Sequence, residues 1–466
     1  MTHPTIRRTR SLTIPHSIRT SLGRQIDRFR KLILQSHDLP FDGFFSADCI
    51  GSIVAHTPAT RSTVFTPLVT LKAFIGQVLG ADGSCKQAVA GVLADRLSDG
   101  EPANTVNTGP YCKARQRLPL EQLEGAARTV GHGIHQEAAD EWLWKGHNVV
   151  ITDGATVTMP DTPENQAVFP QPESQKPGLG FPMARMVALI SLAVGTVIAY
   201  ALGPYQGKDT GETSLLSQLL GYLSVGDLLM ADRYYCTFAI IALLQARGIP
   251  VLFPMHARKK ADFSLGVRLG AKDHWVRWQK PKRKPVWMSG EEYATLPNTL
   301  TVRELSVGGM VYVSTLLDHK AYRKQELAEL YQDRWIIELD IRSIKTHMGM
   351  DVLRCLSPGM VKKEIAVHIL AYNIIRGNLM QAARLFKKIP RQLSFKSAVQ
   401  LMLEVPAKIA ALAGAVLMKA LLSLLKAIAS TPIGMQKRGS QPRVIKRRPK
   451  PYLLLTTPRK EAVLAL

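Results

Sequence analysis

Three acidic residues occupy positions where a carboxylate could do chemistry instead of facing water. Asp153 lies within NVVITDGATVTM, a β-branched stretch that predicts a strand from Asn148 to Met159, and Asp232 ends the apolar run that begins at Asp227. A charge on such strands is costly to bury unless it is paired or binds a cation. Ligand groups collect at the carboxyl ends of strands, where Asp232 lies, whereas Asp227 is roughly 16 Å away at about 3.3 Å per residue.

The third acid, Glu338, lies in a long helix that the apolar spacing predicts from about Ala321 to Thr346. At about 100° per residue, Glu338 shares one narrow stripe of this helix with three other polar side chains. These are Tyr331, Arg334 and Lys345. By the same arithmetic Asp333 and Asp340 face away and are poor candidates. The sequence thus predicts that one face of this helix carries all four polar side chains.

These residue types have two interpretations. Arg334 and Glu338 are an i, i+4 pair, so one is an ordinary exposed salt bridge that contributes a few tenths of a kcal/mol. The other is a cation site, because three acids without a His/Cys cluster are oxygen ligands typical of Mg²⁺ or Mn²⁺. Two such ions about 3.5–4 Å apart activate the attacking oxygen and stabilise the leaving oxygen of a phosphodiester displacement. Arg334 and Lys345 would then contact phosphates beside the scissile bond, and Tyr331 would hydrogen-bond nearby.

The overall charge favours a polyanionic partner. The 466 residues include 60 Lys and Arg against 36 Asp and Glu, a net charge of +24. Residues 1–40 are rich in Arg and indicate an arm and first helix that touch phosphates, or else a solvated face. The tail, residues 437–460, is also basic and contains prolines. Double-stranded DNA fits this charge distribution.

A second basic region lies between Met255 and Glu304. Ten basic residues and two acids fall between Arg258 and Lys284, and three tryptophans accompany them: Trp275, Trp278 and Trp287. Basic residues mixed with aromatics are typical of a surface on which bases stack. The alternative, which we favour for at least two of the three, is that the tryptophans form the small core of a β-rich insertion.

Several classes of protein are disfavoured. The five cysteines form no CxxC pair, which argues against a disulfide framework or a zinc knuckle and favours a reducing cytosol. The basic N-terminus has no apolar core of signal-peptide length. The uncharged stretch from Met186 to Gly203 is at the lower limit for a membrane span, but its Val/Ile content and the central Gly195 favour two buried strands joined by a tight turn. Residues 409–428 contain two lysines, as a soluble amphipathic helix would.

Elements are expected to follow one another in six regions. The first region is a helical N-terminal DNA-binding region (1–145), with helices at 66–97 and 118–144. The first part of an α/β domain follows (146–254). It includes strands at 227–232 and 249–253 and helices at 213–223 and 237–247. The β-rich basic insertion (255–304) follows, and strands at 300–307 and 310–316 and the Glu338 helix return the chain to this domain (305–350). A helical region (351–430) and the basic tail (431–466) end the chain. This order predicts a mixed sheet covered by helices.

At this point the chain resembles a known family. The positions Tyr331, Arg334, Glu338 and Lys345 resemble the Y-R-E-K signature of DDE-type insertion-sequence transposases of the IS-four family. The strings TDGATVTMPDTPEN around Asp153 and LLMADRYYC around Asp232 resemble that family's two aspartate motifs. TGPYCKARQRLP (108–119) resembles its N-terminal helical region, and AYNIIRGNLM (371–380) and RRPKPY (447–452) resemble its C-terminal part. The resemblance therefore extends over most of the chain.

The resemblance implies an α/β fold with an RNase H-like catalytic domain, interrupted by a β-rich insertion and flanked by helical regions. It implies that the metal-binding and catalytic triad is Asp153, Asp232 and Glu338. In relatives the other signature residues contact the DNA backbone at the transposon end, which carries over to Tyr331, Arg334 and Lys345. Some relatives hold a flipped base of a hairpin intermediate on an insertion tryptophan, for which Trp278 is the candidate that we select.

The leading hypothesis is an Mg²⁺-dependent transposase, in which Mn²⁺ can substitute. It would cleave inverted-repeat ends and join the freed 3′-OH strands to target DNA as a homodimer, in the nucleoid of a bacterial cytoplasm. A non-catalytic DNA-binding protein derived from such an enzyme would bind ends without cutting them. A structure-selective nuclease of the same fold would cut strands but never join them.

Overall fold

We describe the protein from a computed structural model. It describes residues 47–433, apart from residues 59–63, 81, 99, 103–105, 208–209, 410–411 and 413, together with residues 457–458, 461 and 464. The predicted basic arm at 1–40 and nearly all of the basic tail lie outside the described residues.

One nine-stranded mixed sheet forms the centre of the described chain. Its strands lie in the order β3-β2-β1-β4-β5-β9-β8-β7-β6. Their bounds are β1 (Asn148–Thr158), β2 (Met183–Ser191), β3 (Val197–Pro204), β4 (Asp227–Met230), β5 (Val251–Pro254), β6 (Val267–Gly270), β7 (Asp273–Gln279), β8 (Thr299–Val307) and β9 (Met310–Ser314). The ends of β1, β4, β5, β8 and β9 lie within two residues of the predicted bounds. The predicted two-strand stretch at 186–203 becomes β2 and β3, with β2 beginning three residues earlier, and β6 and β7 supply the strands of the insertion.

The first five strands have RNase H-like topology. β1 pairs antiparallel with β2, and β2 with β3, while β1, β4 and β5 are parallel neighbours. In the order 3-2-1-4-5, β2 alone therefore runs against the others. The β2–β3 hairpin turns at Gly195, whose φ of 81° a side chain would resist. The predicted α/β, RNase H-like fold is confirmed.

The other four strands belong to the same sheet. β9 pairs antiparallel with β5, and β8, β7 and β6 continue outward from it. The basic insertion thus extends one edge of this sheet, and β8 runs continuously across the expected boundary at residue 304.

Among the described residues, five helices precede the sheet. Their bounds are α1 (Ala47–His56), α2 (Pro67–Leu79), α3 (Cys85–Ser98), α4 (Gly109–Arg117) and α5 (Leu120–Gln136). The single helix expected at 66–97 was wrong, because the chain breaks between α2 and α3, where Gly83 has a φ of 60°. The helix expected at 118–144 ends earlier, at Gln136, and α4 was not predicted.

The remaining helices cover the sheet. Those between strands are α6 (Pro163–Val168), α7 (Glu212–Ser217), α8 (Phe238–Ala246) and α9 (Gly290–Thr295), and those after the sheet are α10 (Lys324–Gln332), α11 (Ile336–Arg342), α12 (Pro358–Leu385), α13 (Phe395–Ile409) and α14 (Gly414–Ala429). The long helix predicted at 321–346 is helical from Lys324 to His347, but a 3₁₀ turn (Asp333–Trp335) and a π-helical segment (Ser343–His347) change its hydrogen bonding.

Alternate residues of β1 face two separate cores. Val149, Ile151 and Val157 pack with helices α2, α5, α11 and α12, whereas Val150 packs with α7 and α8 on the other face. Both faces of β1 are therefore covered, as its run of β-branched residues predicts. In the described part of the chain no helix is long and apolar enough to cross a membrane, and residues 186–203 form most of β2 and β3, as expected.

A glycine lets α5 lie directly against the sheet. A Cβ added to Gly131 would overlap the backbone carbonyl oxygen of Val197 in β3, and Asn373 of α12 bonds both the N–H and the carbonyl of Val197 at 2.8 Å. We expect Gly131→Ala to lower the free energy of unfolding by about 1–3 kcal/mol, since this backbone contact cannot relax cheaply.

The matched control is Gly133→Ala, two residues along the same helix, where nothing lies within 4 Å of an added Cβ. It should be neutral or stabilising by up to about 1 kcal/mol, because alanine favours helix. Urea denaturation of both variants measures the difference. Equal midpoints would contradict this account of the α5 contact.

Candidate active site

Register places the two aspartates side by side at one end of the sheet. β1 and β4 are parallel, with Ile151 opposite Met230, so Asp153 and Asp232 each lie two residues beyond paired positions. β4 has ended by then, and the Asp232 carboxylate accepts a hydrogen bond from the N–H of Arg233 at the start of a 3₁₀ turn. Asp153 remains within the longer strand β1. The strand pairing thus brings the backbones of these two residues near one another.

Arg334 connects the first aspartate to the glutamate. Its Nη1 donates to Asp153 Oδ2 at 3.2 Å, and its Nη2 lies 3.8 Å from Glu338 Oε1. The Arg334 side chain is 18% exposed and the Glu338 side chain 37%. The i, i+4 salt bridge considered from the sequence therefore exists, but the same guanidinium also holds Asp153.

The other two stripe residues lie against the sheet. Lys345, within the π-helical segment, donates from Nζ to the carbonyl of Thr156 in β1 at 2.8 Å. The Tyr331 ring packs edge-on against Tyr312 of β9, with centroids 5.3 Å apart, and burial raises the pKa of its hydroxyl. The helix face predicted from spacing thus contacts the sheet, with Arg334 and Lys345 on β1 and Tyr331 on β9.

The rejected acids have structural partners. Asp227 is buried, and its Oδ1 lies 3.0 Å from Nε2 of the buried His135. Asp340 is 1% exposed and lies on the far side of α11, where it bonds Arg376 at 2.5 Å and Arg391 at 2.6 Å. The exclusion of both on geometric grounds is consistent with these contacts.

Glu212 lies near Asp153, and the sequence did not predict it as part of the site. Burial raises the pKa of Asp153, and the N–H of Gly154 and the charge of Arg334 oppose this rise. The neighbouring carboxylates of Glu212 and Asp232 raise the pKa further. Glu212 begins the short helix α7, and neither periodicity nor a strand end marks it in the sequence.

The carboxylates of Asp153, Asp232 and Glu338 are donors of the type that a hard cation prefers, but they do not form a closed coordination site. Among the described residues, no three His, Cys, Asp or Glu side chains lie close enough together to hold a metal ion. Arg334 occupies the space between Asp153 and Glu338, where it supplies the positive charge that repelling carboxylates need. Carboxylate oxygens are nevertheless the donor type that Mg²⁺ and Mn²⁺ prefer.

The insertion tryptophan that we selected is covered. Trp278 is 8% exposed, its Nε1 donates to Glu304 at 2.7 Å, and Lys259 Nζ lies 3.2 Å from its ring centroid. Trp275 and Trp287 are half-buried. This placement favours the alternative in which tryptophans build the core of the insertion. A base could reach Trp278 only if Lys259 moved away.

Comparison with known proteins places this geometry in a class. Residues 144–374 match the family described as "Transposase DDE domain". This stretch contains all nine strands, both aspartates and the Glu338 helix. The sheet therefore lies within a stretch that matches a DDE transposase domain.

The chain is also similar to a transposase of a known insertion sequence. The chain is 29% identical over 314 residues to "Transposase InsG for insertion sequence element IS4" of Escherichia coli (strain K12), an alignment that covers 65% of this chain and 69% of InsG. Together these two matches support a DDE-type insertion-sequence transposase of the IS4 family. Among solved structures, "Cryo-EM structure of piggyBac transposase synaptic complex with hairpin DNA (SNHP)" aligns with a TM-score of 0.43 and 11% identity, covering 83% of this chain and 84% of that chain. That likeness is too distant to carry an argument.

Proposed function

We propose that the chain cleaves the ends of an insertion sequence and joins the freed 3′-OH strands to target DNA, with Asp153, Asp232 and Glu338 as catalytic residues. The observation that carries this proposal is the arrangement around Arg334. One guanidinium contacts both Asp153 and Glu338, and strand register sets Asp232 beside Asp153. Residues far apart along the chain thus supply acids to one end of the sheet.

The three carboxylates would hold Mg²⁺, or Mn²⁺ in its place. When bound, these ions activate the attacking oxygen and stabilise the leaving oxygen of a phosphodiester displacement. Asp153 and Asp232 each lie two residues beyond the last pair of the parallel strands β1 and β4, which fixes the separation of their backbones. Glu338 lies on a helix whose far side is anchored by Asp340.

The cationic side chains position DNA in this proposal. Arg334 would leave the carboxylates when cations bind them, and its planar donors would then face a phosphate beside the scissile bond. Lys345 Nζ is held beside β1 by the Thr156 carbonyl and can contact the same strand of DNA. Tyr331 would hydrogen-bond nearby. Trp278 is retained as a DNA contact only for a state in which Lys259 uncovers its ring.

The proposed organisation keeps the six regions, with DNA binding by residues 1–145 and two parts of one catalytic domain at 146–254 and 305–350. The insertion, 255–304, would present its basic residues to DNA from the sheet edge. We propose that two copies assemble on a pair of inverted-repeat ends, in the bacterial cytoplasm. The basic surfaces then neutralise phosphates of both end and target DNA.

A cleavage and joining assay tests this function. We expect the purified protein with Mg²⁺ to nick end-containing DNA and to join the 3′-OH ends covalently to a plasmid, and EDTA to abolish both products. Binding without strand scission would instead identify a non-catalytic DNA-binding protein. Cleavage without joining would identify a nuclease. Control DNA with a scrambled end should be neither cut nor joined.

A further inference from the structure

We propose that Glu212 is a positioning residue of this active centre, which acts through Tyr235 to hold the turn that carries Asp232. The inference rests on the proposed function of the acidic site. Glu212 and Glu338 lie on opposite faces of the sheet, because the helix α7 that carries Glu212 packs in the core that contains Val150. The two glutamates therefore approach the aspartates from opposite sides.

Gly154 makes the approach of Glu212 possible. A Cβ on residue 154 would lie 2.5 Å from Oε1 of Glu212 and 2.7 Å from its Cδ. Any side chain there would displace the carboxylate, since real Cβ atoms do not come so close to other atoms. The glycine immediately after Asp153 thus opens β1 to the carboxylate of Glu212.

Tyr235 connects Glu212 to Asp232. Its hydroxyl donates to Glu212 Oε2 at 3.3 Å, and its side chain is fully buried. Tyr235 ends the 3₁₀ turn that Asp232 caps, and its N–H donates to the carbonyl of Asp232 at 3.0 Å. A lateral shift of the tyrosine would therefore move Asp232.

Glu212 itself is anchored by its helix. Leu215 and Leu216, which follow it in α7, are buried at 2% and 0% exposure. A carboxylate at this place also feels the charge of Asp153, and such repulsion costs stability. The cost is offset if the hydrogen bond to Tyr235 keeps Asp232 beside Asp153, because small misplacements of catalytic groups slow reactions strongly.

Two variants break this connection and one preserves it. Glu212→Ala removes the acceptor and Tyr235→Phe removes the donor, whereas Glu212→Gln keeps an oxygen that can accept from Tyr235. We expect Glu212→Ala and Tyr235→Phe each to slow end cleavage by about tenfold with unchanged affinity for end DNA. The double variant should be no slower than either single variant. Glu212→Gln should cleave within about threefold of the wild-type rate.

A measurement without DNA gives a second readout. The rise in melting temperature on adding Mn²⁺ reports ion binding by the folded protein. We expect Glu212→Ala and Tyr235→Phe to require several-fold more Mn²⁺ for the same rise, and Glu212→Gln to behave as the wild type. Thr213→Ala, at the next residue of α7, is the matched control for helix disruption.

The outcomes separate this inference from the proposed function. Three results would each overturn the positioning role. They are multiplicative effects of Glu212→Ala and Tyr235→Phe, a Glu212→Ala variant that cleaves at the wild-type rate, and a Glu212→Gln variant as slow as Glu212→Ala. Asp232→Ala is measured alongside. If it loses cleavage and the Mn²⁺ response while Glu212→Ala keeps both, only the role of Glu212 is lost. If Asp232→Ala keeps both, the proposed site itself is wrong.

Discussion

Glu338→Gln is expected to reduce strand cleavage at least about 10³-fold while leaving binding to end DNA intact. The substitution keeps the size of the side chain and removes the charge that a divalent cation requires. Affinity for DNA should persist because it comes from basic side chains, all of which the substitution leaves in place. Asp153→Asn and Asp232→Asn should have effects of the same order.

The three substitutions should not multiply. Groups that act as one unit lose nearly their whole contribution when the first is removed. The double variant Asp153→Asn/Glu338→Gln should therefore cleave no more slowly than the slower single variant. Single-turnover cleavage and gel-shift binding measure the two properties separately.

Glu329→Gln is the matched control for the glutamate. Glu329 is exposed on α10, in the same helical stretch, and points into water. It should cleave at the wild-type rate. If any one of the three proposed catalytic variants retained cleavage within tenfold of the wild type, that residue would be misassigned.

Asp340→Ala is expected to lower the free energy of unfolding by about 3–5 kcal/mol, the largest stability effect that we anticipate. Asp340 is the shared partner of Arg376, at 2.5 Å, and Arg391, at 2.8 and 2.6 Å. Removing it leaves two buried guanidinium groups without a counter-charge, and an uncompensated buried charge costs about this much. Chemical denaturation of the purified variant measures the loss.

The same variant should also lower cleavage, because Glu338 lies two residues away on α11. Asp333→Asn is the matched control, since Asp333 is exposed in the preceding 3₁₀ turn and should change stability by less than about 0.5 kcal/mol. Replacing Asp340, Arg376 and Arg391 together by apolar residues should restore much of the stability. An Asp340→Ala protein as stable as the wild type would contradict the anchoring role of this cluster.

Much of the fold was predictable because local patterns carry it. The alternating and β-branched segments of β1, β2 and β3 specify strands buried on one or both faces, and Gly195 supplies the turn between two of them. The 3.6-residue period placed Glu338 and Arg334 on one face of a helix and Asp340 on the other. Helix ends were less predictable, because the apolar spacing continues on both sides of the break between α2 and α3, which is made by Gly80 and Gly83.

The site divides in the same way. By itself the sequence determined which acids end strands, which helix face carries Glu338, and that the chain resembles a DDE transposase, because periodicity and motif spacing are local properties of the chain. Only the tertiary structure decided that Arg334 contacts both Asp153 and Glu338, that Glu212 enters beside Gly154, and that Lys259 and Glu304 enclose Trp278. Apart from the i, i+4 pair of Arg334 and Glu338, those contacts join residues 19 to 181 positions apart, and their distances follow from how sheet and helices pack, which no spacing along the chain records.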